Sequence, residues 1–98
     1  MGKLIFSILH PCFEESGAVW KDKGYVAVRN YFGERAIEQT YGYFIHRTLS
    51  TYLNSLVRAG CVLQQVREPQ LDPAIATRYD AERYASVPGY LVILATKR

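Results

Sequence analysis

Two positions carry side chains able to do acid–base or binding chemistry. His10 stands directly before Pro11 at the end of the apolar run LIFSIL, and His46 is followed by Arg47 and a Thr-Leu-Ser sequence that opens a helical pattern. Imidazole as a class changes charge near neutral pH, so either ring could accept a proton from a bound molecule or hydrogen-bond it. The competing role for His10 is to cap the turn that ends a strand. His46 and Arg47 lie where the amide groups of a helix N-terminus attract an anionic or carbonyl group, and their competing role is to link two parts of the chain.

Other chemistries lack their residue patterns. His10, Cys12, His46 and Cys61 show neither C-x-x-C nor H-x-x-x-H spacing, so no metal site is expected. A G-x-S-x-G elbow, a phosphate-binding loop and a poised pair of carboxylates are missing from the sequence. Two cysteines are too few for a disulfide framework, and both lie beside apolar stretches, so reduced thiols are the default.

Ninety-eight residues, with 49% hydrophobic and 21% charged side chains, make a single small domain spanning 1–98. The charge balance of 12 Lys+Arg against 9 Asp+Glu is mildly basic, and its basic residues are scattered. A nucleic-acid partner using Arg29, Arg47, Arg58 and the tyrosines is therefore the weakest functional reading. The N-terminal apolar run is far shorter than a membrane span of roughly 20 residues and is followed by HPCFEE, without a cleavage site of small residues. The expectation is a soluble, cytoplasmic protein with no membrane partner.

These residues must be positioned by a few apolar elements. Residues 4–9 are apolar at consecutive positions, as a strand buried on both faces requires, and Pro11 stops it. Residues 25–32 and 41–45 are aromatic and β-branched, which predicts two strands, with GERAIEQT between them as a turn or short helical piece. Leu49, Tyr52, Leu53, Leu56 and Val57 form one stripe of a helix over 48–59, with Thr48 as its cap and Gly60 closing it in the left-handed conformation. CVLQQV at 61–66 reads as a more polar strand suited to a sheet edge. Asp72-Pro73 can start a short helix in the connection that follows, and YLVILAT at 90–96 reads as a central strand. The stretch SGAVWKDKG around Trp20 reads as a loop, and Glu68-Pro69 as a strand stop.

The expected sheet places 90–96 between 4–9 and 61–66. One side of 4–9 is then left with unpaired backbone groups beside large apolar side chains, an edge that a missing segment or a second copy of the chain must cover.

Taken together, FSILHPCF, His46-Arg47-Thr48-Leu49-Ser50, Ala59-Gly60, Glu68-Pro69 and VPGYLVILATK resemble the C-terminal half of a class I S-adenosylmethionine-dependent methyltransferase of the small-molecule type. The resemblance runs from Leu4 to Lys97. It implies an α/β fold: part of a Rossmann-like mixed sheet whose last strand is antiparallel and inserted between the other two, a β-rich insertion at about 14–46, and one main helix. It also implies that His10 faces the methyl-transfer pocket and acts with His46 in catalysis. The insertion, with Tyr25, Tyr31, Phe32, Tyr41, Tyr43 and Phe44, would roof the pocket of a small methyl acceptor, with Tyr31, Tyr43 and Arg47 contacting it.

The resembled enzymes hold S-adenosylmethionine with a Gly-rich turn after their first strand and an acidic residue after the second. Here Gly2, Gly17, Gly24, Gly33, Gly42, Gly60 and Gly89 form no G-x-G. The expectation is a fragment unable to bind the cofactor alone, with either a missing N-terminal half or a homodimer completing it. The alternative is a non-catalytic interaction module that dimerises through its open sheet edge.

Overall fold

The computed structural model describes residues 2–13, 17–39 and 42–98. In chain order the elements are β1 (Lys3–Leu9), α1 (Gly17–Lys23), β2 (Arg35–Gln39), β3 (Gly42–His46), α2 (Leu49–Arg58), β4 (Cys61–Arg67), α3 (Pro73–Arg78), α4 (Arg83–Ser86) and β5 (Tyr90–Lys97). The strands form a three-stranded sheet in the order β1-β5-β4 and a separate β2-β3 hairpin. β5 runs antiparallel to both neighbours, so β1 and β4 are parallel to each other and end at the same edge. This is the expected α/β arrangement with a mixed sheet and an inserted antiparallel strand.

Register explains where the core lies. Along β5, Leu91, Ile93 and Ala95 are buried while the residues between them are partly open. Their partners in β1 are Ile8, Phe6 and Leu4, so one face of the sheet carries the core. The expectation that 4–9 is buried on both faces is corrected: Ile5, paired with Leu94 on the other face, is 69% exposed. Consecutive apolar residues give a strand two greasy faces, but this chain covers only one. Among the described residues nothing pairs with the outer edge of β1.

Surface and size agree with a half-covered sheet. The accessible surface is 7018 Å² for 11.2 kDa, where a folded monomer of that mass exposes roughly 5,700 Å². The radius of gyration is 15.2 Å, against roughly 13 Å for a compact domain of this length.

α2 forms as its pattern predicts. Thr48 is its N-cap, in extended backbone, with its hydroxyl accepting from the Thr51 amide. Gly60 lies at φ +79°, where a side chain would be strained. α3 begins at Pro73, with the Asp72 carboxylate accepting from the amides of Ala74 and Ile75.

Three expectations fail in and beside the insertion. Residues 25–32 are not a strand; they form an irregular segment in which Asn30 has positive φ. Arg35 fastens that segment by donating to the carbonyls of Asn30 and Gly33. GERAIEQT instead supplies β2, which pairs with β3 from Arg35↔His46 to Gln39↔Gly42. The stretch around Trp20 is the helix α1 and not a loop. The expected strand at 41–45 appears as β3, but Tyr41 lies outside the described residues.

Candidate functional site

The common end of β1 and β4 brings His10 and Glu68 together. His10 follows β1, Glu68 follows β4, and β5 lies between those strands, so the pair spans the end of the central strand. The His10 amide donates to the Gly89 carbonyl just before β5 at 3.0 Å, which fixes the corner. His10 Nε2 lies 2.6 Å from Glu68 Oε2, and the Cys12 amide donates to Nδ1 at 3.2 Å. An amide can only donate, so Nδ1 presents its lone pair and the ring proton sits on Nε2, aimed at the carboxylate. The imidazole is buried, packed beside the Phe13 ring at 5.0 Å, while the Glu68 side chain is 55% exposed. A buried ring thus holds an open carboxylate at the mouth of the sheet end, the place where open α/β sheets bind ligands.

A second cluster surrounds the start of α2. His46 ends β3 and is buried; its Nε2 donates to the Tyr31 carbonyl at 2.7 Å, and the two rings meet edge-on at 5.9 Å. The Tyr31 hydroxyl accepts from the Leu49 amide at 2.7 Å. Glu34 Oε2 accepts from the Thr48 amide at 3.1 Å and from the Thr51 hydroxyl. Bonds from the Thr51 hydroxyl first, then from the Thr48 amide, hold the Glu34 carboxyl below the ordinary carboxylate range. An anion does sit at the α2 N-terminus, and it is the chain's own Glu34.

His46 and Tyr31 also line a small recess with Pro11, Cys12, Val28 and Arg35, which brings the corner after β1 against the insertion. Its space of about 20 Å³ admits one water and no larger molecule. Of the residues singled out in the sequence, then, His46 and Tyr31 are joined, while His10 bonds to Glu68. Arg47 and Tyr43 are exposed. Glu68 and Glu34 were missed as partners. The strand order already put residues 10 and 68 at one end of the sheet, so the first pairing was open to inference; nothing in the sequence links Glu34 to Thr48.

The β3–α2 joint, Arg47-Thr48, has no glycine, and its neighbouring amides are engaged by Glu34 and Tyr31. Among the described residues no group of three or more His, Cys, Asp or Glu side chains could hold a metal ion. Among them, too, no helix is long and apolar enough to cross a membrane.

No protein-family model and no curated protein matches the chain. Solved structures do. The chain is similar to a Listeria monocytogenes protein described as an S-adenosylmethionine dependent methyltransferase, at TM-score 0.73 and 27% identity, over 99% of this chain and 48% of that one. It is also similar to an S-adenosylmethionine dependent methyltransferase from Mesorhizobium loti, at TM-score 0.74 and 24% identity, over 96% of this chain and 47% of that one. The α/β fold is that of these methyltransferases, and the chain spans about half the length of each.

Proposed function

We propose that the chain is the C-terminal, acceptor-side half of a methyltransferase that uses S-adenosylmethionine and acts on a small molecule. The observation that carries this reading is the likeness over nearly the whole chain to about half of each of two such enzymes. It is supported by the β1-β5-β4 order and by the open outer edge of β1. The cofactor-binding part of the activity then belongs to a half-fold seated against that edge. On this reading His10 and Glu68 handle the proton of the acceptor: Glu68 is open to the ligand, and His10 keeps its carboxylate in place by donating from Nε2. His46 and Tyr31 act from the roof, with Arg47 and Tyr43 as exposed contacts for whatever covers them.

Titration calorimetry with S-adenosylmethionine tests the division of labour. The chain alone is expected to give no heat of binding, and micromolar affinity would overturn it.

A second reading is favoured by one observation, the exposed Leu4 and Ile5 on an unpaired edge strand: the chain pairs with another copy of itself. The surplus surface of roughly 1,300 Å² over a folded monomer exceeds the roughly 800 Å² that each partner buries in a standard interface. Light scattering on the purified chain separates the cases, a dimer supporting self-pairing and a monomer at high concentration removing it.

A further inference from the structure

The ladder between β1 and β5 fixes which backbone groups of β1 look outward. In an antiparallel pair, residues that exchange hydrogen bonds alternate with residues that do not. The Lys97 amide donates to the Gly2 carbonyl at one end of the strand and the His10 amide donates to the Gly89 carbonyl at the other, both at 3.0 Å. The register between these bonds is unbroken, so the bonded positions within β1 are Leu4, Phe6 and Ile8. The amides and carbonyls of Lys3, Ile5, Ser7 and Leu9 therefore point to the outer edge, where no described strand meets them.

A second copy satisfies them only in certain registers. Outward groups must meet outward groups, so in a two-fold antiparallel pairing odd-numbered residues face odd-numbered residues. An axis at Ile5 sets Lys3 against Ser7 and carries Leu9 beyond the start of the partner's strand at Lys3. An axis at Ser7 sets Ile5 against Leu9 and carries Lys3 opposite Pro11, which has no N–H to give. An axis at Phe6 sets Lys3 against Leu9 and Ile5 against Ser7, so every outward residue finds a partner. Lys3, the only charged residue of β1, then lies far from its own copy. In the same register Leu4, 44% exposed, gains Ile8 as its neighbour, and the two Phe6 side chains adjoin on the face that carries Ile93.

We propose that two copies of the chain join β1 to β1 antiparallel about a two-fold axis at Phe6, merging their three-stranded sheets into one. This rests on the self-pairing reading above and adds to it the register and the residues in contact. The surplus surface of each copy is large enough for such an interface.

The test places single cysteines on the edge of a chain carrying C12S and C61S. Ile5 and Ser7 are exposed, so I5C and S7C leave the monomer intact. Facing residues of a hydrogen-bonded pair have Cα atoms roughly 5.5 Å apart, within reach of a disulfide, whereas residue 5 and its own copy lie on a diagonal of roughly 7–8 Å and are out of reach. Under mild oxidation I5C alone and S7C alone are expected to stay uncrosslinked, and an equal mixture of the two is expected to give the covalent dimer. Amide exchange on the unaltered chain is the second measurement. The amides of Leu4, Phe6 and Ile8 are protected at every concentration, and those of Ile5 and Ser7 should slow roughly tenfold once one chain in about ten remains unpaired. A dimer in which the mixture does not crosslink, or in which I5C or S7C crosslinks alone, overturns the register and leaves self-pairing standing. A chain that stays monomeric, with the Ile5 and Ser7 amides open at high concentration, overturns both and leaves the edge to a different segment.

Discussion

The two buried histidines solve different problems with the same side chain. His10 has its Nε2 proton on an exposed carboxylate, so the group it holds remains open to a ligand. His46 has its Nε2 proton on a main-chain carbonyl inside a network that also ties down the first turn of α2. The first arrangement presents an exposed carboxylate at the end of the sheet; the second joins the insertion to the helix. A buried histidine is thus informative through its partner and not through its burial alone.

Paired alanine substitutions should show this difference most strongly. His46→Ala orphans the part-buried Tyr31 carbonyl, at a cost of about 1–3 kcal/mol before any loss of packing, read as a lower urea midpoint. His10→Ala leaves Glu68 free to turn to water and takes from the Cys12 amide only the 3.2 Å bond to Nδ1, longer than the 2.7 Å bond lost at His46, so it should cost less. The reverse order would break the comparison. Next in size is Thr48→Ala, which removes the hydroxyl that caps the Thr51 amide; about 1 kcal/mol is expected, with reduced helical signal by circular dichroism.

The smallest effect is in acid. The carboxyl of Glu34 is held below its ordinary value of 4.5, so the folded state favours its charged form. Its contribution is fully present above that ordinary value and is lost as pH falls through the lowered one. Glu34→Gln should therefore flatten the acid limb of an unfolding profile below about pH 4.5. Since Glu34 is exposed, solvent screens the effect, and it should shrink further in salt. An unchanged limb would show that the capping bonds do not need the charge.

Much of the layout was legible because burial leaves marks in composition. Continuous apolar runs at 4–9 and 90–96 against the glutamines at 64 and 65 predicted which strand is central, and Thr48 and Gly60 bracketed α2. The insertion was illegible for the opposite reason. YVAVRNYF has β-forming side chains but is held as irregular chain by Arg35 and by the positive φ of Asn30, while the unpromising RAIEQ becomes a strand because β3 offers it a ladder. Long-range polar pairs such as Glu34 with Thr48 leave no local trace. His10 with Glu68 became predictable only once strand order was known, since pairing of side chains across a sheet end follows from topology and not from spacing.

The middle position of β5 has a consequence for how the molecule is made. Lys3 finds its partner in Thr96, and Cys61 finds its partner in Lys97, so neither outer strand has any ladder to join until the ribosome has released the final one. The three-stranded sheet is thus closed by pairings far apart in sequence, which form more slowly than the neighbouring strands of the β2-β3 hairpin.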